Sequence, residues 1–277
     1  MTLTIDNERL RALIPGVIHE VQGEASLYDK MLPWLTSEQR WLENIFFGDY
    51  EPSGDILNLA EVVIVNRAFA RAIPSLDVTL SPAGFAVINT EGRAPASKER
   101  IERLIKSLDD FADENLVQLS KSLLGNAEWC ESPAAQWWLS TFCPSLEDVA
   151  KYVSNSGQSM MDVYKACRNI LFMFESDLAE NFIGTDLMER TRMAVCPGQP
   201  AKYSALWSRI HDAACRVIYT YMVDKRIYKS RDVWKEAAPL IRFIKSVPDL
   251  ALEWEAEKGD FVKVEPFVND HPGGYFF

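Results

Sequence analysis

Histidine is scarce in this chain of 277 residues: there are three, His19, His211 and His271, far apart in the sequence. So few imidazoles leave little room for histidine-based acid–base or metal chemistry. The sequence also lacks a GxSxG elbow, a GxxxxGK[ST] loop, a GxGxxG turn and an HExxH helix, which removes the common signatures of acyl transfer, phosphate binding, dinucleotide binding and zinc proteolysis. His211 and Cys215 share a helical face at i,i+4, but no third or fourth ligand follows the same logic, so they read as a polar-edge histidine beside a core cysteine. Acidic pairs such as Asp109-Asp110 and Glu147-Asp148 fall on solvated helix faces or at helix starts, where they complement the helix dipole. No catalytic residue, cofactor or metal is expected.

Cysteine is limited to five residues, Cys130, Cys143, Cys167, Cys196 and Cys215, with no CxxC pair. An odd, widely spaced set points to free thiols in a reducing compartment. Cys196 precedes Pro197-Gly198 and is expected to be exposed in a loop; the others sit among apolar neighbours as packing residues. No apolar run is long and charge-free enough to span a bilayer. The opening residues lack a basic stretch followed by an apolar one, so no signal peptide is expected. Positive charge is also in deficit, the net charge being −11. That argues against a broad surface gripping nucleic acid, which needs clustered Lys and Arg. It does not exclude a protein that surrounds DNA without holding it.

What is present is helix. Residues 56–73 are apolar on nearly every helical face, interrupted only by Asn58, Glu61, Asn66, Arg67 and Arg71. A helix of that kind is covered by other elements on most sides. Two short β-prone runs follow, with turn residues between them, predicting a small hairpin near 76–89. Ahead of this centre, Asp6 or Thr4 can cap a first helix, and a longer helical segment runs over 25–47. Gly48 stops that segment, and Pro33 must kink it or open a new helix there. Beyond the hairpin, Ser97 is a reasonable N-cap for an amphipathic helix through Ile101, Leu104, Ile105, Leu108, Phe111 and Ala112, ended by Gly125-Asn126.

The second half repeats the scheme, with helices predicted over 160–183, 203–222 and 234–247; Pro239 must again kink the last or open a second one. Glu43-Asn44-Ile45-Phe46-Phe47-Gly48 is echoed by Glu180-Asn181-Phe182-Ile183-Gly184. Residues 101–108 are echoed by 240–247 at nearly the same offset, about half the chain. An internal duplication is therefore expected. The fold is mainly α: two similar helical bundles, with a small β-hairpin in the first half and an extended C-terminal tail. The divisions are a first helical half over 1–126, a tryptophan-rich connecting segment over 127–158, a second half over 159–260 and the tail over 261–277. Two aromatic groups stand out as partner-binding candidates. Trp137 and Trp138 lie in the connecting segment, where packing between the bundles is the competing reading. Tyr275, Phe276 and Phe277 follow the flexible Gly273-Gly274 and suit an anchor on a neighbouring subunit.

Leu32-Pro33-Trp34-Leu35 leading to Asn44-Ile45-Phe46-Phe47-Gly48, its echo ending at Gly184, the 80–89 hairpin followed by Ala94-Pro95-Ala96-Ser97, and the Gly-Gly-aromatic terminus together resemble an uncharacterised family encoded in phages and prophages of gut bacteria. Its members look like head–tail connector or adaptor proteins. The resemblance implies a structural virion protein that is not an enzyme: a homo-oligomeric ring in the neck beneath the portal, touching portal and other neck or tail proteins. It also implies passage of duplex DNA without tight binding, no membrane contact, and residence in the host cytoplasm during assembly. The alternative is a small soluble helical enzyme or ligand-binding protein with a pocket between the two halves.

Overall fold

The computed structural model describes residues 5–14, 25–76, 97–153 and 158–257, together with 78–81 and 84–87 as backbone. The protein is mainly helical, and its chain divides into two compact units. Unit 1 comprises Met1–Cys167 and Val195–Gly198; unit 2 comprises Arg168–Ala194 and Gln199–Phe277.

Unit 1 begins with α1 (Asn7–Leu13), whose N-cap Asp6 accepts from the Arg9 amide at 2.7 Å. Ser26 and Asp29 form a reciprocal capping box at the start of α2 (Leu27–Leu42). Pro33 lies inside α2, which runs through it as one helix and opens no second one there. The lost amide removes one hydrogen bond, and packing of the flanking turns outweighs it. α2 closes in a π turn, Glu43–Phe47, where the Gly48 amide donates to the Glu43 carbonyl at 2.8 Å. Gly48 has φ +54°, the left-handed region in which glycine carries no Cβ penalty.

α3 (Gly54–Leu76) is the centre of the unit, packed along α2 and α4 (Lys98–Leu124). Its run Val62 to Asn66 is buried without a break, as a helix apolar on all faces requires. Asn66 satisfies its amide inside that environment by donating to the Val62 carbonyl at 2.8 Å. Arg9 of α1 reaches α3 at Glu61 (2.6 Å) and at Asn58. After α3, the backbone of Val78–Ser81 pairs antiparallel with Gly84–Val87, Val78 lying opposite Val87. Ser97 occupies the N-cap position of α4 but makes no side-chain cap bond.

The tryptophan-rich stretch lies within unit 1, as the short helices α5 (Ala127–Glu131) and α6 (Pro133–Leu139). Its indoles complete the π turn: Trp129 donates to the Phe46 carbonyl at 2.6 Å and Trp138 to the Ile45 carbonyl at 2.9 Å. Carbonyls at a helix end have no partner within their own helix, so a buried end needs donors of this kind. α7 (Glu147–Val153) follows, and α8 (Met160–Leu178) supplies residues to both units.

In unit 2, α8 passes into a second π turn, Ala179–Ile183, closed by the Gly184 amide on the Ala179 carbonyl at 3.0 Å. Gly184 has φ +101°. The Phe182 carbonyl of this turn accepts from the Trp254 indole at 2.7 Å. The remaining helices are α9 (Thr185–Arg192), α10 (Ala201–Met222), α11 (Val233–Ser246) and α12 (Pro248–Glu257). Like Pro33, Pro239 lies inside a single helix, α11.

A Trp254→Phe variant keeps most of the ring and loses only the N–H. It leaves a buried carbonyl without its donor, so urea unfolding should show a loss of about 1–3 kcal/mol. An unchanged midpoint would mean that water replaces the indole.

Candidate functional site

A buried ion-pair network in unit 1 is built where α2, α3 and α4 meet. Glu38 of α2 has a fully buried side chain, which a carboxylate tolerates only when paired. The Arg67 guanidinium donates to Glu38 Oε2 at 2.8 Å, and Arg71, one turn further along α3, pairs with Oε1. Arg67 also lies over the face of Trp41, 4.1 Å from the ring centroid, and 4.0 Å from Asp113 Oδ1 of α4. Its flat guanidinium can stack on an indole and bond in its own plane at once, which a lysine cannot do.

This network borders a cleft of about 620 Å³. Arg67, Arg71 and Lys106 contribute positive charge to its walls, and Glu102, Asp109, Asp110 and Asp113 negative charge. Burial pushes the Asp109 and Asp113 carboxyls above their ordinary value, by more than the neighbouring Arg67 guanidinium draws them back. A carboxyl raised in this way binds protons more readily in the native state than in the unfolded chain. Its contribution therefore favours the native state at low pH and is lost as pH rises from 3.8 through the raised value. Asp113→Asn should remove that slope. The melting temperature of the variant relative to wild type should accordingly climb as pH is raised through this mildly acidic window. A difference that stays flat or falls would show that the Arg67 ion pair outweighs desolvation.

In the sequence, Arg67 and Arg71 interrupt an apolar helix and nothing connects them with Glu38. The signal was weak: Glu38 and Arg67 are 29 positions apart, and nothing near Glu38 marks it as buried.

The aromatic candidates separate. Trp138 is 1% exposed, stacked on Phe46 at 4.5 Å and on Tyr164 at 4.9 Å. It is a packing residue of unit 1 and offers no face to a partner. Trp137, edge-on to Trp138 at 4.9 Å, remains 37% exposed. Tyr275, Phe276 and Phe277 lie outside the described residues, as do His19 and His271. In unit 2, His211 Nε2 is 3.6 Å from Cys215 Sγ, and its ring stacks on Trp207 at 4.8 Å. Cys196 corrects the expectation of an exposed loop thiol: it is 7% exposed, because its segment packs into unit 1.

A third feature is an apolar stripe that is only partly covered. None of the first ten residues of α4, Lys98–Ser107, is buried; Leu108 is the first that is. Along that stretch and just beyond it, Leu104 is 41% exposed and Phe111 49%. Seven residues apart, they share one side of the helix with Ile101 and Leu108. In unit 2, Phe172, Met173 and Ile227 are exposed as well. Among the described residues, no helix is long and apolar enough to cross a membrane.

Residues 18–137 match a protein family of unknown function, DUF6712, a stretch that holds α2, the first π turn, α3, α4 and α5. No curated protein and no solved structure matches the chain. Over less than half of its length, this chain is similar to that family.

Proposed function

We propose that this protein is a structural subunit acting through its interfaces, a head–tail connector or adaptor of a phage virion that assembles as a homo-oligomeric ring beneath the portal. The observation that carries the reading is the stripe on α4. Ile101, Leu104 and Phe111 have the spacing of a buried helical face, yet Leu104 and Phe111 remain open to water. Exposed apolar side chains in register along a helix are what a neighbouring subunit covers. The likeness of 32–48 and 180–184 to phage-encoded proteins supplies the virion context.

An internal duplication belongs to the same proposal. Both units contain a helix closed by a π turn and a positive-φ glycine, with a tryptophan indole on a π-turn carbonyl. Five residues before Glu43 and Glu180 of the echoed motifs lies a buried glutamate bonded to an arginine on the next helix: Glu38 with Arg67, and Glu175 with Arg192 at 3.5 Å. The hairpin over 76–89 is then an elaboration of the first copy, and the aromatic tail an anchor on the adjacent subunit.

Light scattering after size exclusion, with electron microscopy of the peak, tests the assembly. Wild type should form a ring, or do so when portal is added. Leu104→Glu with Phe111→Glu should abolish the ring and leave the monomer's melting temperature within about 2 °C, since exposed positions change stability little. Monomeric wild type with and without portal would remove the connector reading. A second reading, a ligand-binding protein, is favoured by the charged cleft at Arg67 and Asp113; a small charged molecule that raises the melting temperature would support it.

A further inference from the structure

Within a chain of net charge −11, residues 225–235 hold five Lys or Arg and a single Asp. This basic stretch joins α10 to α11 inside unit 2. Lys225 has φ +54°, a left-handed conformation uncommon for a lysine, and the Arg226 amide donates back to the Thr220 carbonyl of α10 at 3.2 Å. The 3₁₀ turn Ser230–Asp232 then runs directly into the first turn of α11. Between these elements lies a cavity of about 100 Å³, bordered by Arg216 and Thr220 of α10, Arg226 and Tyr228 of the connection, and Lys235 and Glu236 of α11. Asp232 borders it as well. The space suits one compact oxyanion and is too small for a drug-sized molecule.

The acidic groups around the cavity are already engaged. Glu236 Oε2 accepts two hydrogen bonds from the Arg216 guanidinium, at 3.0 and 2.6 Å. Asp232 Oδ2 accepts from the Lys229 amide at 3.1 Å, and α11 starts without a side-chain cap. The Tyr228 hydroxyl donates to Asp177 Oδ2 at 2.8 Å. Arg226 and Lys235 are exposed, and among the described residues neither has an ion pair. Two cations without a counter-charge, beside an uncapped helix start, leave the cavity positive. A phosphate group matches such a place, because guanidinium, ammonium and helix amides all donate to its oxygens.

We propose that this corner of unit 2 is a phosphate-binding site, with Arg226 and Lys235 as its principal ligands. The planar Arg226 fork donates to two phosphate oxygens, and the Lys235 ammonium supplies a second, more mobile charge. Arg216 stays with Glu236 and keeps that carboxylate from repelling the anion. The site needs one chain only, so it does not depend on the connector reading. Inorganic phosphate and the backbone of a nucleic acid offer the same chemistry, and the experiment separates them.

The full chain is melted in increasing inorganic phosphate at constant ionic strength. In a second arm, a labelled thymidine oligonucleotide without a terminal phosphate is titrated by fluorescence anisotropy. Arg226→Ala with Lys235→Ala removes the two ligands; both are exposed, so the melting temperature without phosphate should change little. Arg100→Ala with Arg103→Ala, exposed on α4 in unit 1, removes the same charge elsewhere and serves as the control. The control is needed because phosphate stabilises folded proteins generally, by exclusion from their surface. The expected result is a loss of affinity of about tenfold or more, confined to the Arg226 and Lys235 variant, in at least one arm. A loss seen with the oligonucleotide, with a salt slope flatter by about 0.7 for each contact removed, assigns the site to a nucleic-acid backbone. A loss seen with inorganic phosphate alone assigns it to free phosphate. Equal responses of all three proteins in both arms, or equal losses in the two double variants, would overturn the proposal.

Discussion

Arg67→Met should lower the stability of unit 1 by about 3 kcal/mol, because removing one partner of a buried ion pair strands the other charge. Glu38 is the charge that suffers. Its side chain is fully buried, and without Arg67 the Oε2 atom has no donor in place of the 2.8 Å contact. Arg71 continues to hold Oε1 but is itself half exposed, so it compensates only partly. Glu38→Leu alone should also be harmful, since it leaves the Arg67 guanidinium against Trp41 with, among the described residues, only the 4.0 Å approach to Asp113 as an ion pair. The double variant, Glu38→Leu with Arg67→Met, should recover most of the loss, because hydrophobic residues of similar volume often replace buried pairs at little cost. A double-mutant cycle in urea reads this as a coupling energy of about 2 kcal/mol or more. Single variants that each fall within about 1 kcal/mol of wild type would show the pair to be as weak as a surface one.

Val63→Asp should be more damaging still. Val63 is fully buried near the middle of α3, with buried residues on both sides of it in the sequence. An aspartate there has no partner and costs several kcal/mol, enough to remove the cooperative unfolding of unit 1 altogether. Phe69→Asp on the same helix should be milder, because Phe69 is only half-buried and the new carboxylate can turn toward water. Circular dichroism melts of the two variants provide the comparison. If both melt like wild type, α3 is not the core of its unit.

The contrast between Val63 and Glu38 shows what could be read in advance. Val63 belongs to a run whose burial follows from composition, since a helix apolar on every face has no stable side to present to water. Glu38 carries no such mark. It sits between Ser37 and Gln39, a polar stretch that ordinarily faces solvent, and becomes buried only because α3 brings two arginines against it. α9 and α12 are not legible in the sequence for a related reason. Thr185–Arg192 is short and mostly polar, and Pro248 read as the start of a mixed segment although it stands at the first residue of α12, where its missing amide costs nothing. Trp137 and Trp138 were indistinguishable in the sequence; the stacks on Phe46 and Tyr164 separate them.

The amino-acid sequence by itself determined where most helices run and where they stop. Those signals are local: apolar periodicity, the Asp6 cap, and the glycines at 48 and 184 that accept positive φ without a Cβ penalty. Tertiary structure alone decided which polar groups are buried and which indole completes which π turn. Each of those depends on residues distant in sequence, 83 positions in the case of Trp129 and the Phe46 carbonyl. A buried donor is stable only when the fold delivers its acceptor, and that pairing is written in no local stretch of the chain.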